Sequence, residues 1–218
     1  MGAAMMIAAP ALASTPRQIL TEAAFQARDQ PTALAQVAQS EAAANAILAR
    51  IPNDREASVV RAMAIGYRAK LTRNRADALA ARKLFTALVA ADPRDPEAEA
   101  AIGAWHLDSV AALGGLVAGM VLGADKADGT AAMDRAVGLG GGRAMFPGLA
   151  ALLRLALDPD DARARALAEE ASRGSTVYPL DRLMQRSAAA VLVPLRAGDK
   201  RGAQNLAKQL LPFGRLPS

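Results

Sequence analysis

The chain has 218 residues, a formal net charge of +5 and no cysteine. Apolar residues make up 52% of it but aromatic residues only 3%, which is too few for a sheet core and favours alanine-rich helices. The absence of cysteine excludes disulfides and thiolate metal sites. Acidic residues accompany the basic ones along the chain, which argues against a nucleic-acid interface.

Residues 1–13 carry no charge and end in small side chains. Ala11 and Ala13 have the A-x-A spacing of a secretory cleavage site, although the positive charges that begin such a signal are missing. We expect cleavage after Ala13 and export of residues 14–218, in a bacterium to the periplasm. The alternative is an apolar leader with no role in export. The run is too short to span a bilayer, which takes roughly 20 apolar residues.

Helices are expected from the start of the mature chain. Thr15-Pro16-Arg17-Gln18 has the pattern of a capping box with proline at the first helical position, so a helix should run from here to about Arg28. A longer helix is expected over residues 32–51. The turn that follows it, Pro52-Asn53-Asp54, recurs as Pro93-Arg94-Asp95, and a Glu-Ala pair comes after both. Such self-similarity indicates an internal repeat.

The segment from Arg75 to Gly103 carries the clearest repeat pattern. Ala81 is followed four residues later by Phe85 and twelve residues later by Pro93, and Ile102-Gly103 stands where the next unit begins its own pattern. This spacing resembles the tetratricopeptide repeat. In that family the small residues let neighbouring helices approach closely, and the aromatic side chain fills the gap between them.

The resemblance implies an all-α fold, a degenerate α-solenoid of about five antiparallel helix pairs. The second helices of the pairs are expected to begin near residues 32, 75, 127, 161 and 200. Their uneven spacing indicates an insertion, for which the charge-free, glycine-rich run at 110–124 is the candidate. We expect a buried connection there; the alternatives are a flexible apolar lip on a ligand pocket or a site of membrane contact.

No motif for catalysis is found. His106 is the only histidine, and Asp108, two residues on along a helix, does not face it. Gly140-Gly141-Gly142 follows a helix rather than a strand, so it is interpreted as a helix stop and not a phosphate loop. The acidic run 158–161 lacks the calcium-loop spacing and is interpreted as a helix cap. We therefore predict no enzymatic activity, no cofactor and no metal.

Three side chains are the candidates for a binding surface: Tyr67, Trp105 and His106. Tyrosine and tryptophan offer large amphipathic contact areas, and all three could lie near the concave side of the stack. The alternative for Trp105 is a place in the core of a hairpin. The positions that grip a peptide carboxylate in the family hold apolar side chains here, so the predicted groove is apolar.

Two functions follow from this reading. The first is an exported, non-enzymatic scaffold that binds another protein or peptide. The second is a periplasmic binder of a small hydrophobic ligand, because the leader, the uneven repeats and the apolar insertion are similar in layout to the tetratricopeptide component of TRAP-type transporters. An enclosed apolar cavity lined by residues 110–124, of roughly 300 Å³ or more, is expected only for the second.

Overall fold

The computed structural model describes residues 14–217. This part of the chain forms eleven α-helices and no β-strand, so the all-α class is confirmed. The helices are α1 (Pro16–Gln26), α2 (Gln30–Arg50), α3 (Arg55–Thr72), α4 (Arg75–Ala91), α5 (Pro96–Leu113), α6 (Gly115–Leu122), α7 (Lys126–Leu139), α8 (Met145–Leu157), α9 (Ala162–Arg173), α10 (Pro179–Arg196) and α11 (Lys200–Leu210).

Short polar side chains start most of these helices. Thr15 forms the predicted capping box with Gln18 at the start of α1. Asp95 accepts hydrogen bonds from two backbone N–H groups of α5, and Asp161 does the same at α9, where the acidic run was predicted to cap. Because the first N–H groups of a helix have no partner within it, these caps fix where each helix begins.

The helices pack as pairs, and the pairs are neighbours in chain order. The pairs are α1–α2, α3–α4, α5–α7, α8–α9 and α10–α11, and each second helix also contacts the first helix of the following pair. The second helices begin at residues 30, 75, 126, 162 and 200, close to the predicted starts. Hairpins that follow each other in the sequence are therefore adjacent in space.

The segment 110–124 differs from the expectation of a buried connection. It forms the end of α5 and a separate helix, α6, at an angle of 119° to α5. Ala118 and Leu122 of α6 are buried, but the side chains of Leu116 and Met120 are 78% and 71% exposed. The expectation was wrong because the run becomes a helix, and only one side of a helix can face the protein. For the same reason the described chain has eleven helices rather than ten.

The end of the chain returns to its beginning. Helix α11 packs on α8 as well as on α10. The residues that follow it, 211–216, are called the C-terminal segment below. They cross to α1, where the N–H of Phe213 donates to the carbonyl oxygen of Ala24 at 2.7 Å. The first and last hairpins are thus in contact through this segment.

Two earlier predictions concern membranes and export. No single helix within residues 14–217 is long and apolar enough to cross a membrane, and α5 and α6 reach that length only together, across their bend. The predicted signal segment, residues 1–13 with Ala11 and Ala13, lies outside the described residues. Export therefore stays a prediction.

Candidate interaction sites

The predicted repeat residues of α4 lie where two helices approach closely. Ala81 and Phe85 are buried and face Gly66 of α3, where a Cβ atom would come within 3.5 Å of both side chains. Pro93 lies exposed in the turn between α4 and α5. Ala81 and Gly66 thus lie where α3 and α4 meet, in ordinary van der Waals contact, and their role as repeat residues stays a prediction.

Gly103 of α5 makes an even closer contact with Gly129 of α7. A Cβ atom at Gly103 would lie 3.0 Å from the carbonyl oxygen of Gly129, and one at Gly129 would lie 2.8 Å from the Cβ of His106. Contacts this short leave room for glycine alone. Ile102, the other member of the predicted pair, packs against the apolar cluster that contains Trp105.

Trp105 is buried and holds an arginine in place. Its Nε1 donates to the carbonyl oxygen of Ala78 at 2.9 Å. The guanidinium of Arg82 lies over the indole ring, 5.5 Å from its centroid, and donates to the carbonyl oxygen of Leu122 at 3.0 Å. Trp105 therefore supports the arginine that binds the last residue of α6.

His106 supports the same region from α5. Its Nδ1 accepts a hydrogen bond from the backbone N–H of Asp125 at 2.9 Å, just after α6. Burial, together with the positive charge of Arg82, lowers the pKa of His106 below its ordinary value. A lowered pKa keeps the imidazole neutral near pH 7, which the accepting Nδ1 requires.

Trp105 and His106 are neighbours in the sequence and lie in one region, but Tyr67 lies elsewhere. The rings of Trp105 and His106 meet edge to face with centroids 5.0 Å apart. Tyr67, on α3, belongs to another apolar cluster and meets Phe213 edge to face, also at 5.0 Å. Burial raises the pKa of the Tyr67 phenol. The three predicted residues therefore lie in two separate regions of the protein.

The C-terminal segment has an unusual conformation around Phe213. Its φ is +63°, in the left-handed region that bulky side chains rarely adopt. A Cβ atom at Gly214 would lie 1.9 Å from the carbonyl oxygen of Lys208, so the tight turn that follows needs glycine. Beside the ring remains a cavity of about 40 Å³, lined by Phe25 and Leu183 among others.

Charged side chains from all five hairpins meet at the N-terminal ends of their first helices. Glu97, at the start of α5, accepts hydrogen bonds from Arg17 at 3.0 Å, Arg55 at 3.5 Å and Arg143 at 3.4 Å. Arg143 also binds the buried carboxylate of Asp181 at 3.2 Å, at the start of α10. These five residues are called the Glu97 cluster, and they join α1, α3, α5, the start of α8 and α10.

An apolar surface lies on α6 and the end of α5. Five large side chains are exposed there and form what we call the α6 patch: Leu113, Leu116, Val117, Met120 and Val121. Arg75 and Arg82 reach across from α4, and Arg75 donates through Nε to the carbonyl oxygen of Val121 at 3.0 Å. Both arginines bind backbone carbonyls at the carboxyl end of α6, where a positive charge is favourable.

Within residues 14–217, no three His, Asp or Glu side chains are grouped as the ligands of a metal ion would be. Two surfaces remain as candidates for recognition. One is the contact beneath the C-terminal segment, and the other is the α6 patch.

The sequence analysis identified Tyr67 and the run 110–124, but it missed the arginines and the phenylalanine that complete the two surfaces. Arg75 and Arg82 carry no local signal, because their partners are backbone carbonyls 46 and 40 residues away. Phe213 does carry one, since it is one of few aromatic residues and is followed by glycine after an amphipathic helix. The sequence showed that the Glu-Ala pairs at Glu56 and Glu97 repeat. It did not show that both glutamates bind Arg17.

Comparison of the chain with protein-family models, with curated proteins and with solved structures finds no match. Function is therefore argued from the geometry of the two surfaces.

Proposed function

We propose that this protein is an exported, non-enzymatic helical-repeat scaffold, built as a degenerate tetratricopeptide-like solenoid, that binds another protein. The partner contributes an apolar peptide with an aromatic side chain. Its groove lies between α1, α3 and α10, where the C-terminal segment lies. Export rests on residues 1–13 of the sequence alone.

The solenoid part of the proposal is supported by the order of the hairpins. Each pair contacts the next pair in the chain. A single hairpin of this composition cannot bury its apolar face, so it depends on its neighbours, as repeats in a solenoid do. A stack of this kind places its first helices along a common inner surface, which is where solenoids bind partners.

The observation that carries the binding proposal is the pair of contacts that Phe213 makes with Tyr67 and Ala24. Its ring packs against Tyr67, and its N–H donates to the carbonyl oxygen of Ala24. One aromatic side chain and one main-chain hydrogen bond are contacts that a peptide from another protein can also supply. The chain's own segment thus indicates the chemistry that the groove accepts.

The C-terminal segment fits this groove imperfectly, which allows a partner to replace it. A residue with the φ of Phe213, +63°, is strained by about 1–3 kcal/mol. The cavity of about 40 Å³ beside the ring leaves apolar surface without contacts. A tethered segment has an effective concentration on the order of mM, so these two defects offset part of its advantage over a free peptide.

The cavities favour a protein partner over a small hydrophobic ligand. Small-molecule sites usually enclose roughly 300–1,000 Å³, but the apolar cavity beside Phe213 measures about 40 Å³. A cleft of about 310 Å³ is lined largely by polar surface residues near the α1–α2 turn, among them Glu22 and Arg28. The large side chains of residues 110–124 face solvent rather than a pocket.

Removal of the C-terminal segment tests this proposal. We expect a fluorescent peptide of residues 211–217 to bind a chain that ends at Leu210, and to bind the full chain at least tenfold more weakly, because there the segment competes. A peptide with Phe213→Ala should lose at least tenfold in affinity for the shortened chain. Fluorescence anisotropy measures all three affinities, and circular dichroism checks that the shortened chain is folded.

The full chain with Phe213→Ala is a second receptor for the same peptide and keeps every helix. It should bind the peptide more tightly than the wild type does, since its own segment has lost the aromatic anchor. If neither folded receptor binds the peptide, or if the peptide with Phe213→Ala binds as well, the groove is not a peptide site.

A further inference from the structure

We propose that the α6 patch docks the protein onto the surface of an anionic lipid membrane, a role independent of the peptide groove. The patch consists of five neighbouring aliphatic or thioether side chains, of which Leu116 and Met120 are 78% and 71% exposed. The whole run from Val110 to Ala124 contains no charged residue. Contiguous apolar surface of this kind marks a contact site.

The helix that carries the α6 patch is held to the rest of the protein by several contacts. Ala118 and Leu122 lie on the buried side of α6 and pack in the apolar cluster that contains Trp105. Arg75 and Arg82 bind its last carbonyl oxygens, each at 3.0 Å. Gly123 ends the helix with φ +67°, and a Cβ atom there would lie 2.5 Å from the guanidinium of Arg82. The exposed side chains are therefore held outward by contacts on the opposite side.

Positive charge lies beside the patch. Arg75 and Arg82 bind backbone carbonyls rather than carboxylates at this site, so a carboxylate partner does not offset their positive charge next to Val121. Lys126 is exposed at the start of α7, directly after the segment. The carboxylate of Asp125 accepts hydrogen bonds from the first N–H groups of α7. An apolar helix with basic residues at its edge matches the headgroup and acyl layers of an anionic bilayer.

The size and chemistry of the patch favour lipid over protein. With eight residues, α6 is about 12 Å long and about 10 Å wide, whereas a stable protein interface buries about 800 Å² on each partner. Protein interfaces also draw on aromatic anchors, and the five side chains of the α6 patch include none. Acyl chains need no hydrogen bonds, and insertion of a few side chains needs no large area. A second copy of the chain is thus the weaker candidate for its occupant.

Vesicle flotation with the full chain tests the proposal. We expect binding to vesicles of equal parts phosphatidylglycerol and phosphatidylcholine, and at least tenfold weaker binding to phosphatidylcholine alone. Leu116→Asp/Met120→Asp should lose at least tenfold in affinity for the anionic vesicles. The matched control, Val177→Asp/Val193→Asp, changes two exposed apolar residues elsewhere, at 63% and 69% exposure, and should bind as the wild type does.

The two double variants carry the same added charge and the same residues 1–13, so any membrane affinity of that apolar segment is common to both. Circular dichroism establishes that both are folded. Absence of binding by the wild type, or an equal loss in the two variants, would overturn the proposal. So would concentration-dependent dimerisation of the wild type in sedimentation velocity that Leu116→Asp/Met120→Asp abolishes, because a second copy would then cover the patch.

Discussion

One imidazole links the end of α6 to the body of the protein. His106 is the only histidine in the chain, and its Nδ1 accepts the N–H of Asp125 only when that nitrogen is unprotonated. Burial and the charge of Arg82 lower the pKa of His106 in the folded state. Folding therefore favours the neutral ring, and acid opposes it.

The stability of the protein should consequently fall on mild acidification. In the unfolded chain the histidine pKa is about 6.5, higher than in the folded protein, so the unfolded state takes up the proton first as the pH falls. The free energy of unfolding should be constant above about pH 7 and decrease below about pH 6.5 until the folded pKa is reached. Urea unfolding from pH 8 to pH 5.5, above the range of most carboxylates, measures this decrease.

His106→Asn is the control for this titration, because the amide oxygen can accept the same hydrogen bond and does not titrate. Its stability should be nearly flat over that pH range. His106→Leu leaves the N–H of Asp125 without its partner and should lose about 1–3 kcal/mol at every pH. An undiminished pH dependence in His106→Asn would contradict the assignment to His106.

At the scale of helices, one close contact is that between α5 and α7. It depends on Gly103 and Gly129, since a Cβ atom on either would lie within 3.0 Å of the opposite helix. Gly138 lies on the same helix as Gly129, but no atom comes within 4 Å of the position of its Cβ. Alanine substitutions at Gly129 and Gly138 can therefore be compared to separate the effect of close packing from that of helix propensity.

Gly129→Ala should destabilise the protein by about 1–3 kcal/mol, because the new methyl group collides with the side chains of His106 and Leu107. Gly138→Ala should instead stabilise it by about 0.5–1 kcal/mol, because alanine is the better helix former and meets open space. Midpoints of urea unfolding compare the two. A Gly129→Ala variant at least as stable as the wild type would show that the α5–α7 contact is looser than the distances imply.

The helices were predictable from sequence to the extent that local signals determine them. Thr15 and Asp161 cap where their patterns predicted, because a cap depends on residues a few positions away. The exposure of Leu116 and the contacts of Phe213 with α1 and α3 were not predictable. Both depend on surfaces supplied by α4 and α1, which lie far off in sequence. Periodicity indicates that a residue is apolar, but not whether a partner surface exists for it.

At the scale of the whole molecule, two contacts join the described hairpins in addition to the packing of each pair on the next. The Glu97 cluster joins the N-terminal ends of the first helices through Arg17, Arg55 and Arg143. The C-terminal segment joins the last hairpin to the first through Phe213. The charged contact consists of several ion pairs, whereas the segment carries backbone strain and an unfilled cavity. We therefore expect the segment to detach while the stack remains folded.

Amide hydrogen exchange of Phe213 tests this account most directly, because its N–H is the one that donates to Ala24. We expect it to exchange faster than the amides around Leu152 and Leu155 in the buried core of α8, and at a rate that low urea concentrations leave unchanged, as local detachment requires. Exchange as slow as that of α8, with the same dependence on urea, would mean that the segment leaves only when the whole protein unfolds. The groove would then not be available to a partner.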